Sequence, residues 1–312
     1  MDNLANGFAY KVDQPLVSSK SAGEKYLIWH VQGGLGKNIA ATALTKDIKK
    51  KHSDRKFIVV CSWPEVFLNN PHIDRVYQLG RTQHFYKDYI ENKDVIVFRH
   101  EPYHQSGHIT RKNHIIKSWC ELLDIEYTNQ LPLIQPNAVQ LMKCGTWTRN
   151  KPLLVLQTCG GVMSSTALSY AWARDIPQEI AESIVTHFSQ AYHIMHVTRR
   201  NGYTLHNVER IDYEMKNMDL LSLLAASSRR ILIDSSLQHA AASMDMPSTV
   251  LWVGTSPINF GYTMHNNIMA KSPTIQNHLI NSYLFDYQFE NNEYECPYNN
   301  VSDMFDLSTI LT

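Results

Sequence analysis

The 312-residue chain carries no excess of either charge: Lys plus Arg and Asp plus Glu each number 29. That balance argues against a protein whose main task is gripping a nucleic-acid backbone. No apolar run approaches the length of a membrane span. The start, Met1 to Gly23, is polar and lacks the apolar core of a secretion signal. The five cysteines (Cys61, Cys120, Cys144, Cys159 and Cys296) are odd in number and scattered, without a Cys-x-x-Cys pair. They read as reduced thiols of a cytoplasmic protein, not as staples or zinc ligands. Histidine is frequent, yet no His-x-x-x-His pair falls on a clear helix, so no metal site is expected. The glycines match neither Gly-x-Gly-x-x-Gly nor a Walker A loop, which speaks against a nicotinamide dehydrogenase, a sugar-nucleotide epimerase and an ATPase.

What is present is organised around Arg230–Gly254. Ile231, Leu232 and Ile233 form a short apolar run of the kind a buried parallel strand shows. Asp234 ends the run, and Ser235 and Ser236 are suited to cap a helix through Gln238, His239 and Ala240–Ala242. Pro247 closes the connection, and Thr249–Val253 reads as the next strand. Ligands of open α/β sheets bind at such strand–helix turns, and a free helix amino terminus suits a phosphate. His239 lies about one helical turn beyond Ser236 and is expected to look back towards it. Most such turns bind nothing, and Ser is also simply a good cap.

The rest of the chain repeats this alternation. Tyr26–Val31 reads as a strand, Gln32–Asn38 as a glycine loop with Gly33, Gly34 and Gly36, and Ile39–Lys51 as a helix. Further strands are expected at Phe57–Cys61 and Val95–Phe98, with a third that Asn70–Tyr77 leads into, and a short helix over Trp63–Asn69. His100–His108 is a loop dense in titratable and aromatic groups, and a helix follows from Thr110 or Arg111 to Leu123. The pattern restarts at Leu153–Leu156, with a second glycine loop at Gln157–Gly161. A helix opens at Asp175 with Pro177 in its first turn, a strand covers His193–Val197, and a Leu-rich helix covers Met218–Ala226. Val301–Leu311 reads as a last helix. Two successive units of this kind predict an α/β protein of two Rossmann-like domains facing across a cleft. The expected division is an arm over 1–24, domains over 25–148 and 149–285, and a tail over 286–312 whose helix packs on the first domain.

Three stretches then resemble glycosyltransferase family 9, the heptosyltransferase-like enzymes of the GT-B fold. Gly33-Gly-Leu-Gly-Lys-Asn38 with Ala40–Leu44 resembles the family's first loop and helix. Asn70-Pro-His-Ile-Asp-Arg-Val76 resembles its NPxIDRV segment. Ile233–Ala242, with Met246-Pro247 and Val250–Pro257, resembles its donor motif NDSGxxHLAAAxGxPTVALFG. The likeness runs over about residues 25–260 by order and spacing. It implies a sugar moved from a nucleotide-diphosphate donor in the second domain to a hydroxyl acceptor in the first, without a metal or other cofactor, helix termini and basic side chains taking the charge of the leaving diphosphate.

Carried over by position, Asp234, Ser235, Ser236 and His239 lie at the donor, though Ser236 stands where the family usually has Gly. Arg174, beside Trp172, falls near a basic position of the family, and Arg199 with Arg200 is a second basic candidate. Thr158 and Gly160 are candidate donors to the same ligand. Gly33, Gly34, Gly36 and Asn38 shape the first loop. The family's Asp base is matched by Lys37, a poor base and a good partner for a diphosphate. Glu101 is therefore the first candidate for the base, with His104 and His108 as rivals. Each of these three is also readable as a solvated loop residue.

The expected function is a glycosyltransferase using a nucleotide-sugar, with a glycan or a hydroxylated DNA base as acceptor; the absence of a basic stripe weakens the DNA acceptor. The alternative is a degenerate GT-B protein that binds a nucleotide or glycan without turnover, which the loss of the family Asp favours.

Overall fold

The computed structural model describes residues 23–160, 174–271 and 300–312. Most of the expected arm, Gly161, Trp172, Cys296 and the start of the tail lie outside the described residues. The chain divides into two compact units, Met1–Gln135 and Pro136–Thr312.

In the first unit β1 (Lys25–Val31), β2 (Lys56–Cys61), β3 (Arg75–Gln78) and β4 (Asp94–Phe98) form a parallel sheet in the order β3-β2-β1-β4. Alternate residues of β1 point to opposite faces, and both are covered, so the strand reads as one apolar run. Tyr26 and Ile28 pack with Ile58, Val60, Tyr89 and Val95. Trp29, on the other face, meets Phe57 and the edge of Trp119. Trp119 belongs to α5 (Ile115–Leu123), which follows the short helices α3 (Phe85–Tyr89) and α4 (Ser106–Ile109) and whose Ile115, Ile116, Cys120 and Leu123 are also buried. Burying each large apolar side chain contributes about 1.5–3 kcal/mol. This helix starts later than the expected Thr110 because Arg111 is left-handed and His114 caps, its Nδ1 accepting from the Ile116 N–H. The helix expected over Ile39–Lys51 is split into α1 (Leu35–Ala41), a 3-10 turn Thr42–Leu44 and α2 (Thr45–Lys51). Thr42 donates back to Ile39 O at 2.6 Å, the kind of side-chain bond that competes with the helix ladder.

In the second unit six parallel strands run in the order β10-β9-β8-β5-β6-β7. They are β5 (Leu153–Gln157), β6 (His193–Val197), β7 (Glu209–Ile211), β8 (Arg229–Ile233), β9 (Thr249–Trp252) and β10 (Asn266–Met269). The principal helices are α7 (Gln178–Phe188), α8 (Asn217–Ala226) and α9 (Ser236–Ser243). Pro177 caps α7 instead of lying in its first turn.

Two features differ from the expected division. The second unit begins at Pro136, because helix α6 (Ala138–Lys143) and the turn Cys144–Trp147 attach to α8. Lys143 pairs with Asp219, and the Trp147 indole donates to Ser222 Oγ at 2.9 Å. The last helix, Leu307–Leu311, was expected on the first domain. Its Ile310 instead joins Met304 and Phe305 in the second unit's core beside α7. Among the described residues no helix is long and apolar enough to cross a membrane.

Each sheet reverses its strand order once. In the first unit the chain steps from β1 out to β3 and returns on the other side with β4. In the second it steps from β5 to β7 and returns with β8. The carboxyl ends of β1 and β4, and of β5 and β8, are thus the two switch points where this architecture places ligands.

Candidate functional site

At the first switch point α1, the helix after β1, carries Lys37 in its first turn, and the loop after β4 carries Glu101. The Lys37 ammonium donates to both carboxylate oxygens of Glu101, at 2.6 and 2.5 Å. The lysine side chain is 5% exposed and the glutamate 31%. Lys37 also lies over the ring of Tyr103, 4.8 Å from its centroid. Burial pushes the Lys37 pKa down, and the charge of Glu101 opposes that shift. The glycine loop fits around this lysine. Gly33 has φ +112°, and a Cβ there would stand 3.1 Å from Lys37 Cδ. Asn38 donates to the carbonyls of Gly33 and Gly34, fastening the loop to α1. Gly34 caps α1, and Gly36 lies in its first turn.

The rival bases separate. His104 is exposed at the end of the 3-10 turn Pro102–His104. His108 is fully buried against Tyr103, and burial pushes its pKa down to about 4. His108 is thus a neutral core histidine, not a group that reaches an acceptor. Tyr103, the cover of Lys37, was not singled out in the sequence; its place beside Glu101 in an aromatic-rich loop was the available signal.

At the second switch point Ser235 caps α9. Its Oγ accepts from the Leu237 N–H at 3.3 Å and donates to Gln157 Oε1 at 2.6 Å, tying β8 to β5. Ser236 is the first residue of α9 and is partly exposed, between buried Ser235 and Leu237. Arg174 donates to Asp234 O at 3.2 Å, and its guanidinium lies where a Cβ on Gly160 would be 3.4 Å away. Burial holds the Asp234 carboxyl above the usual range, against the opposing charge of Arg174. Asp234, Ser235, Ser236, Arg174 and Gly160 therefore lie close together at this switch point.

Four expectations change at this site. The Gly160 N–H is donated to Asp175 Oδ1, and the Thr158 hydroxyl bonds to His196 Nε2 at 2.8 Å, so both donors have partners within the fold. Arg199 forms a deeply buried ion pair with Asp175, a residue the sequence suggested only as a helix opener. His239 does not stand free towards Ser236: its Nδ1 bonds to Tyr262 OH at 2.8 Å and its Nε2 to the Gln238 amide. A buried imidazole needs such partners, and spacing along one helix cannot name them. Among the described residues no three of His, Cys, Asp and Glu come together in a way that could hold a metal ion.

No family model matches the sequence, and no curated protein matches it. Solved structures share its fold. A glycosyl transferase family 9 protein from Veillonella parvula aligns with a TM-score of 0.60 and 12% identity, over 92% of this chain and 95% of its own. The Escherichia coli ADP-heptose lps heptosyltransferase II gives 0.59 and 11% over 78% and 90%. TibC, a dodecameric iron-containing glycosyltransferase from enterotoxigenic Escherichia coli, gives 0.57 and 14% over 78% and 64%. The chain therefore has the α/β fold of these glycosyltransferases.

Proposed function

We propose that the chain is a metal-independent glycosyltransferase that moves a sugar from a nucleotide diphosphate to a hydroxyl of an acceptor glycan. The observation that carries this is that, on this fold, charged and hydrogen-bonding groups gather at both sheet reversals. The amino end of α9 at Ser236 and the guanidinium of Arg174 hold the donor's diphosphate. Their fixed dipoles and charge stabilise the negative charge that builds as the anomeric C–O bond breaks. The acceptor oxygen forms the new bond to the anomeric carbon, and its proton passes to Glu101. Lys37 orients that carboxylate through its bonds to both oxygens. Its own ammonium, covered and paired, is unsuited to act as the base. A hydroxylated DNA base is the less favoured acceptor, since the chain's charge is balanced.

A second reading has its own observation. Glu101 gives both oxygens to Lys37, so each is already engaged before an acceptor arrives, as a binding protein without turnover would tolerate. Calorimetry with ADP, UDP and GDP on the parent and on Ser236→Trp tests the donor site common to both. One nucleotide is expected to bind the parent and not the variant. Equal affinity in Ser236→Trp places the nucleotide elsewhere.

A further inference from the structure

At the carboxyl edge of the first sheet one large aromatic side chain stays outside the core. Trp63 follows β2 and is 37% exposed, whereas Trp29, Trp119 and Trp252 are fully buried. Its indole N–H donates to Gly33 O at 3.1 Å, and the neighbouring Ser62 Oγ accepts from the Gly33 N–H at 3.1 Å. Gly33 is the same glycine at which a Cβ would crowd the Lys37 side chain. One residue thus joins the exposed indole to the Lys37–Glu101 pair. Leu79, 39% exposed, follows β3 at this edge, its N–H bonded to Cys61 O at 2.8 Å.

The only polar atom of the indole is already satisfied inside the protein, so what faces solvent is an apolar ring. The bond to Gly33 also orders the ring before a ligand arrives, which lowers the entropy lost on binding. A fixed apolar plate near a proton-accepting carboxylate suits a ligand with one apolar face and hydroxyls at its rim. A pyranose has this form, with C–H bonds on a face and hydroxyls around the edge.

We infer that Trp63 is the acceptor platform, stacking on the C–H face of an acceptor pyranose whose hydroxyl is presented to Glu101. This rests on the glycosyltransferase reading and adds a residue and a substrate class to it. Trp63 positions the acceptor and takes no part in bond making, so its loss should fall on acceptor KM and spare donor affinity.

The test is steady-state transfer to a panel of sugar acceptors by the parent, Trp63→Ala and Trp63→Phe, with donor affinity measured alongside. Trp63→Ala is expected to raise acceptor KM about tenfold, the usual scale for losing a buried aromatic anchor. Its kcat should fall by less, and its donor affinity should stay within about twofold, which also shows that it is folded. Trp63→Phe keeps a ring without the tether to Gly33 and should lie between. An unchanged acceptor KM in Trp63→Ala, with an active parent, overturns the platform alone. Transfer by the parent only to a hydroxylated nucleobase also overturns it. A parent that consumes no nucleotide-sugar with any acceptor removes the glycosyltransferase reading, and the platform with it.

Discussion

The Lys37–Glu101 pair makes an unequal prediction for its two halves. Removing one partner of a buried pair leaves the other unpaired, at about 3–5 kcal/mol when both are fully enclosed. Here only the lysine is enclosed, at 5% exposure; solvent reaches 31% of the glutamate side chain. Glu101→Gln leaves an ammonium under Tyr103 with a neutral amide, and should cost about 2–3 kcal/mol after allowing for that exposure. Lys37→Met removes the group that bears the desolvation and leaves a carboxylate that water can reach, so about 1 kcal/mol is expected. The double variant should resemble Lys37→Met. Urea unfolding at neutral pH measures all three. The Glu101→Gln deficit also has a pH signature. Burial lowers the Lys37 pKa in the folded state, so the unfolded chain binds the proton more tightly and stability rises with pH up to the ordinary lysine range. The gap to the parent should therefore narrow in alkali. Equal costs for the two single variants, or a greater cost for Lys37→Met, would refute the idea that the lysine is the buried partner in need of its counter-ion.

Burial pushes His108 and His196 down to about 4, below the ordinary histidine value of 6.5. The folded state resists their protonation, so the stability they hold above pH 6.5 should fall towards pH 4 by about 3 kcal/mol each. His196→Asn should flatten that slope in urea midpoints measured against pH. Ser235→Ala loses the cap on α9 and the bond to Gln157, and should cost about 1–2 kcal/mol in the same assay. Gly33→Ala meets a strained backbone and the Lys37 stem, so thermal unfolding should show a loss of about 1–3 kcal/mol. Arg174→Ala should weaken binding of a nucleoside diphosphate by about tenfold while leaving a nucleoside nearly unaffected, read by calorimetry.

The strand–turn–helix at Arg230–Gly254 was legible because a parallel strand covered on both faces is a plain apolar run. The cap at Ser235 and the helix from Ser236 followed from short-range chemistry and appear as expected. The Lys37–Glu101 bond was not legible. The two residues are 64 apart in sequence, and only the placing of β4 beside β1 brings the first turn of α1 to the loop after β4. The same limit hid the partners of Thr158, Gly160 and Arg199: each forms a bond across strands or to Asp175, and such bonds are set by tertiary packing. The strands β7 and β10 escaped notice because Glu209–Ile211 and Asn266–Met269 are short, polar edge strands without a continuous apolar run. The last helix had a readable apolar side, but periodicity gives a face and not the surface it meets.

The most direct test of the glycosyltransferase reading is release of nucleoside diphosphate from ADP-, UDP- and GDP-sugars in the presence of a glycan acceptor, by the parent and by Glu101→Gln. Turnover by the parent with one of these donors is expected, and a fall of about 10²-fold or more in Glu101→Gln with donor affinity nearly unchanged. Turnover by Glu101→Gln equal to the parent's would contradict the assigned base, and a parent that binds a donor yet never releases its diphosphate would contradict the enzyme.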